Sequence, residues 1–135
     1  MSLRQISKLL YQLKIANQEM TSKFEKETGF SITRYELMMF LNEKGPCSQS
    51  VLQTELKIDS AAVTRHLKIL EEKNYVTRKR NVENNREIFV QVTEKAVAEL
   101  AACEKKHDAS EQPLAIQLTE DEQEQLINLL TKLTK

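Results

Sequence analysis

Apolar residues recur every three to four positions through Leu3, Ile6, Leu10, Leu13, Met20 and Phe24, with Leu9 and Ala16 beside the stripe. That spacing marks one face of a long helix, which Gly29 ends. Thr33-x-x-Glu36 reads as a capping box opening a second helix through Leu37, Met38, Phe40 and Leu41, closed by Gly45-Pro46. Ser48 can cap a short third helix carrying Val51, Leu52 and Leu56, and Asp59 or Ser60 a fourth running to about Lys73. Asn74 follows, a residue type that tolerates the left-handed conformation at a helix end. From Tyr75 the period drops to two: Val76, Arg78 and Arg80 predict one strand, and Ile88, Val90 and Val92 another. The polar run from Asn81 to Arg86 joins them as a hairpin. Thr93 then caps a helix through Val97, Leu100 and Ala101 that fades near Pro113, and Thr119-x-x-Glu122 opens a last one through Leu126, Ile127, Leu129, Leu130 and Leu133.

Composition agrees with this reading. In 135 residues, 40% are apolar and 30% charged, with only two Gly and two Pro, which suits one helix-rich domain and excludes disordered, collagen-like and disulfide-framework classes. No apolar run approaches the roughly 20 residues of a membrane span, and the amino end continues into a lysine-bearing amphipathic pattern instead of a signal-peptide core, so a cytoplasmic location is expected. Cys47 and Cys103 form no Cys-x-x-Cys and read as reduced thiols. No nucleophile, base and orienting group form a recognisable set, and Gly29 and Gly45 are isolated, so neither an enzyme nor a phosphate loop is expected.

Placed on a helical wheel, Val63, Leu67 and Leu70 of the fourth helix fall together and must face a core. Ala61, Arg65, Lys68 and Glu72 point away, with Thr64 at the flank and Ser60 at the start. Small residues followed by basic ones suit a helix that enters a major groove, where an Arg can pair bidentately with a guanine edge, although the same face could simply be solvated. The hairpin adds Arg78, Lys79 and Arg80 on its first strand and Arg86 near its tip, placed to touch phosphates or enter a narrow minor groove. A charged edge strand that resists aggregation is the plainer explanation of that cluster. The order of a helix pair followed at once by a basic hairpin favours double-stranded DNA as the partner.

The run from Ser60 to Arg78, with Asn84-Asn85-Arg86 and Val92-Thr93-Glu94-Lys95, resembles the MarR family of bacterial transcriptional regulators. The resemblance spans nearly the whole chain. It implies a mainly α fold with a small β-hairpin wing: a winged helix-turn-helix core over 33–92, between dimerisation helices at 1–28 and 94–135. It implies a repressor; the wheel and hairpin readings place Ser60, Ala61, Thr64, Arg65, Lys68, Arg78 and Arg80 on the DNA and Arg86 in the minor groove, and a two-fold homodimer predicts a pseudo-palindromic operator. It also implies relief by a small, often aromatic or phenolic, molecule bound between the dimerisation helices and the winged core. Asn74, Asn84 and Ala96 depart from the family's usual Gly, Asp and Gly. Cysteine-sensing members carry their thiol near the start of the first helix, where this chain has none.

Two alternatives stay open: a winged-helix protein-interaction module without DNA binding, and a metal-responsive regulator in which Cys103 and His107, at i and i+4, supply ligands from each copy. Charge appears at first to oppose DNA, because 20 basic and 20 acidic side chains cancel. By segment they do not: residues 57–86 carry eight basic and four acidic groups, and residues 87–135 carry five and ten. The positive excess lies where the fourth helix and hairpin fall.

Overall fold

A side-chain oxygen starts every helix among the described residues. Ser2, Ser31, Ser48, Asp59, Thr93 and Thr119 each accept a backbone N–H from the first turn that follows, relieving donors a helix cannot pair internally. The computed structural model describes residues 1–83, 87–111 and 114–135, and in chain order the elements are α1 (Leu3–Thr28), α2 (Ile32–Lys44), β1 (Cys47–Ser48), α3 (Gln49–Glu55), α4 (Ser60–Glu72), β2 (Val76–Arg80), β3 (Ile88–Val92), α5 (Glu94–Ala109) and α6 (Glu120–Leu133). Ser31 caps α2, so the box expected at Thr33 begins two residues too late. The box at Thr119 and Glu122 forms as expected, and a further one joins Ser2 and Gln5.

Gly29 ends α1 at φ 77°, where a glycine meets no steric penalty. Asn74 adopts φ 63° after α4, and the Tyr75 N–H then reaches back to the Leu70 carbonyl at 2.9 Å. The hairpin pairs antiparallel from Val76 opposite Val92 to Arg80 opposite Ile88. A third strand was not anticipated: Cys47 and Ser48 pair with Val90 and Phe89, giving the sheet order β1-β3-β2. Two residues are too short to show any period, and β1 exists only because β3 offers a free edge beside it.

The core gathers Leu37, Met38 and Leu41 from α2, Leu52 from α3, Val63, Leu67 and Leu70 from α4, one valine from each hairpin strand, and Ala96 and Leu100 from α5. Leu67 is completely buried at its centre. Leu67→Ala is expected to cost about 2–5 kcal/mol of unfolding free energy. Urea denaturation at fixed protein concentration checks this, and a loss under 1 kcal/mol, about the cost of one ordinary hydrogen bond, would show that the core does not depend on this side chain.

By contrast α1 and α6 bury no residue completely. Only the carboxy end of α1 packs firmly, where Phe24 meets Tyr35 of α2 edge to face at 5.0 Å. On α6 the stripe Leu126, Leu129, Leu130 and Leu133 stands exposed, as do Leu3 and Leu10 on α1. None of the helices is long and apolar enough to cross a membrane, judged on the described residues.

Candidate nucleic-acid interface

The face of α4 opposite its core stripe is Ala61, Arg65, Lys68 and, at its carboxy end, Glu72, with Thr64 at the flank and Ser60 at the first turn, all exposed. Asp59 caps this helix through a 2.9 Å hydrogen bond from the Ala62 N–H. Lys57, in the turn before it, takes φ 52°, a left-handed conformation that the sequence did not signal. The amide of Gln49, the first residue of α3, donates to the Thr64 hydroxyl at 2.8 Å. Between α2 and α4, Arg34 Nη1 lies 3.3 Å from His66 Nδ1. A guanidinium only donates, so Nδ1 accepts and the ring proton sits on Nε2. Burial, with Arg34 and Arg65 nearby, holds the His66 pKa below the ordinary imidazole range, and the rim of α4 stays neutral there.

Three basic residues that look alike in the sequence separate on β2. Side chains alternate across a strand, so Arg78 shares the face of buried Val76, whereas Lys79 faces outward opposite exposed Phe89. Arg78 turns back to α4 and forks onto Glu71, with Nη2–Oε1 at 3.0 Å and Nε–Oε2 at 3.4 Å. Its hydrogen bonds lower the Glu71 pKa. Through this ion pair Arg78 braces the hairpin against α4. Arg80 is exposed at the strand's end. Beyond it, Asn81 closes the ladder on the Glu87 carbonyl at 2.8 Å and its side chain accepts from the Glu83 N–H. Arg86, with Asn84 and Asn85, lies outside the described residues.

A cleft of about 340 Å³ opens where α1, α2, α4 and α5 meet. Phe30, Leu70 and Tyr75 line it with apolar surface, and Arg34, Lys73 and Lys106 bring positive charge. The Tyr75 hydroxyl donates to the Glu99 carboxylate, which pushes the phenol up to about 12, so it stays protonated. Cys103 also reaches the cleft, but burial raises its pKa, as it does for Cys47, and neither thiol is activated.

His107 does not turn toward Cys103 as a ligand partner. Its Nδ1 meets Glu27 Oε1 at 3.1 Å, and the Leu114 N–H donates to the same carboxylate at 3.1 Å. No group of three His, Cys, Asp or Glu side chains suited to a metal comes together among the described residues. Glu27 thus ties α1 to α5 and to the segment leading into α6. The hydrogen bond to Glu27 raises the His107 pKa, and the one from His107 lowers that of Glu27. The imidazole's contribution is complete below its unfolded pKa and is lost as pH rises through the raised folded value. The carboxylate's is complete above its unfolded pKa and is lost as pH falls through the depressed folded value. Stability from this pair should peak between the ordinary carboxylate and imidazole ranges. His107→Ala should flatten the alkaline side of that peak in thermal melts from about pH 5 to 9, either side of the ordinary imidazole range; an unchanged profile would show that the pair carries no pH dependence.

The fold has counterparts among known proteins. A family model described as MarR family matches residues 30–88. The uncharacterized HTH-type transcriptional regulator YdgJ of Bacillus subtilis is 37% identical over 127 residues, covering 94% of this chain and 77% of the relative. Among solved structures, a mutant MarR from E. coli complexed with operator DNA superposes with a TM-score of 0.82 at 23% identity, over 100% of this chain and 100% of that one. Bordetella bronchiseptica BpsR, whose structure concerns regulation of DNA binding by 6-hydroxynicotinic acid, gives 0.77 at 18% identity over 95% of this chain and 99% of that one. With a relative this similar over 94% of this chain, and with α3, α4 and a basic hairpin arranged as a winged helix-turn-helix, the chain belongs to the MarR family of transcriptional regulators.

Proposed function

We propose that this protein is a homodimeric, cytoplasmic repressor, without enzymatic activity, that binds a pseudo-palindromic operator through α4 and the hairpin. One observation carries the reading: Ala61, Thr64, Arg65 and Lys68 form the exposed side of a helix whose other side is wholly buried, next to a basic two-stranded ribbon. Such a helix is firmly oriented and presents small and cationic groups to a groove. Ser60, Ala61, Thr64, Arg65 and Lys68 face the bases, Arg80 the backbone and Arg86 the minor groove, while Arg78 acts through Glu71 in holding the wing. The helices at 1–28 and 94–135 supply the dimer contacts and 33–92 the DNA-binding core. The neighbour solved on operator DNA supports this assignment by analogy of fold.

The cleft lined by Phe30, Tyr75, Arg34, Lys73 and Lys106 is the candidate effector site, between the dimerisation helices and the core. Its aromatic walls, with three cations against the two carboxylates Glu27 and Glu99, suit a small aromatic anion, and the BpsR structure concerns a ligand of that kind. A ligand there would act by favouring a spacing of the two α4 helices that no longer matches the operator. Fluorescence anisotropy with the intergenic DNA beside the gene tests the core proposal. Saturable binding that falls steeply with salt and greatly exceeds binding to scrambled DNA is expected. Equal affinity for both DNAs would overturn sequence-specific regulation.

A further inference from the structure

Gln49 opens α3 and Thr64 stands on the exposed side of α4, and they meet through a single hydroxyl. Gln49 Nε2 donates to Thr64 Oγ1 at 2.8 Å, while the Thr64 hydroxyl donates to the Ser60 carbonyl of its own helix at 3.0 Å. A hydroxyl has one hydrogen and two lone pairs, so the hydrogen is used, one lone pair is used, and one lone pair remains. Gln49 Oε1 is buried with no partner among the described residues. Turning the amide over would bring that oxygen to Thr64, whose hydroxyl would then have to give up the Ser60 carbonyl in order to donate to it. With the amide donating as it does, the Gln49 N–H and the Ser60 carbonyl together anchor the Thr64 hydroxyl from two sides.

We infer that Gln49 is a specificity-determining positioning residue, which fixes Thr64 as a hydrogen-bond acceptor toward the major groove. Thr64 then favours a base edge that donates, adenine N6 or cytosine N4, and disfavours guanine, whose major-groove edge only accepts. Without Gln49 the Thr64 side chain keeps only its Ser60 anchor, so it can rotate away at the cost of one hydrogen bond instead of two and donate, and guanine becomes acceptable. This assignment rests on the DNA-binding reading above.

The test is selection from randomised duplexes with the full-length dimer, comparing wild type, Gln49→Ala, Gln49→Met, Thr64→Val and the double variant Gln49→Met/Thr64→Val. Wild type should deplete guanine about fivefold at one column of each half-site, the worth of one ordinary hydrogen bond. Both Gln49 variants should erase that depletion while leaving the other columns and the salt dependence unchanged. Methionine fills the amide's volume without its polar atoms and serves where alanine compromises folding. The double variant should select the same column as Thr64→Val alone. A Gln49→Met motif identical to wild type, a uniform loss of affinity with a shallower salt dependence, or a double variant that differs from Thr64→Val would each overturn the assignment. If wild type enriches no motif, the DNA-binding reading itself fails, and this inference with it.

Discussion

Arg65→Ala is expected to nearly abolish operator recognition while leaving the protomer folded. Arg65 is exposed in the middle of the α4 face, so its removal disturbs no core contact. A bidentate Arg–guanine pair is worth about 1–3 kcal/mol of discrimination, and a two-fold dimer loses it twice, so operator affinity should fall from about 30-fold to 10,000-fold or more. Binding to unrelated DNA should weaken far less, because phosphate attraction loses only one charge per protomer. Arg86→Ala should behave in the opposite way, weakening all sequences alike and lowering the salt slope by about one per half-site. Anisotropy titrations of both variants on operator and scrambled duplexes over a salt series separate the two roles. An Arg65→Ala protein that keeps the wild-type ratio between operator and scrambled DNA would remove Arg65 from base reading. An Arg86→Ala protein that binds as well as wild type would remove the wing tip from the interface.

The combined change Leu129→Glu and Leu133→Glu should convert the protein to a folded monomer that no longer binds its operator tightly. Both leucines are more than half exposed in the single chain, at 58% and 57%, so glutamate there costs the protomer little. They belong to a stripe with Leu126 and Leu130 that stays exposed among the described residues, and such a stripe is the self-complementary patch a two-fold dimer buries. Two buried carboxylates per protomer without partners would outweigh the apolar area gained on association. Analytical ultracentrifugation should show the molecular mass halved, circular dichroism should retain the helical signal, and operator affinity should fall toward that of one half-site. A variant that remains dimeric would place the subunit contact elsewhere, with the amino-terminal stripe of α1 the next surface to change.

How legible the molecule is in its sequence depends on the range of the interaction involved. The core side of α4 follows from spacing alone, because Val63, Leu67 and Leu70 can only be sheltered together if one side of the helix is buried. The helix ends at Gly29 and Asn74 follow from the conformations those residue types tolerate. The side of the strand that Arg78 occupies was within reach as well: alternation puts it with Val76, and that side is the core side. Clustering by sequence adjacency hid this, since consecutive residues on a strand point in opposite directions. Other features leave no local mark. Ser31 displaces Thr33 as the cap because Gly29 turns the chain so that α2 begins at Ile32. The pairs Arg34–His66 and Glu27–His107 join residues 32 and 80 positions apart. No period or motif links them.

What the sequence by itself determined was the order of the elements, the buried side of each core helix, the concentration of positive charge on the fourth helix and hairpin, and the unsheltered stripes at both ends. Each follows from local spacing and from the need to remove apolar surface from water. Only the tertiary structure decided which polar groups are already engaged. It turns Arg78 inward to Glu71, neutralises His66 beside Arg34, holds the Thr64 hydroxyl between Gln49 and Ser60, and assigns His107 to Glu27 in place of Cys103. Hydrogen bonds require approach within about 3 Å and correct direction, conditions set by how helices cross and strands pair. Residue type and spacing alone do not contain them.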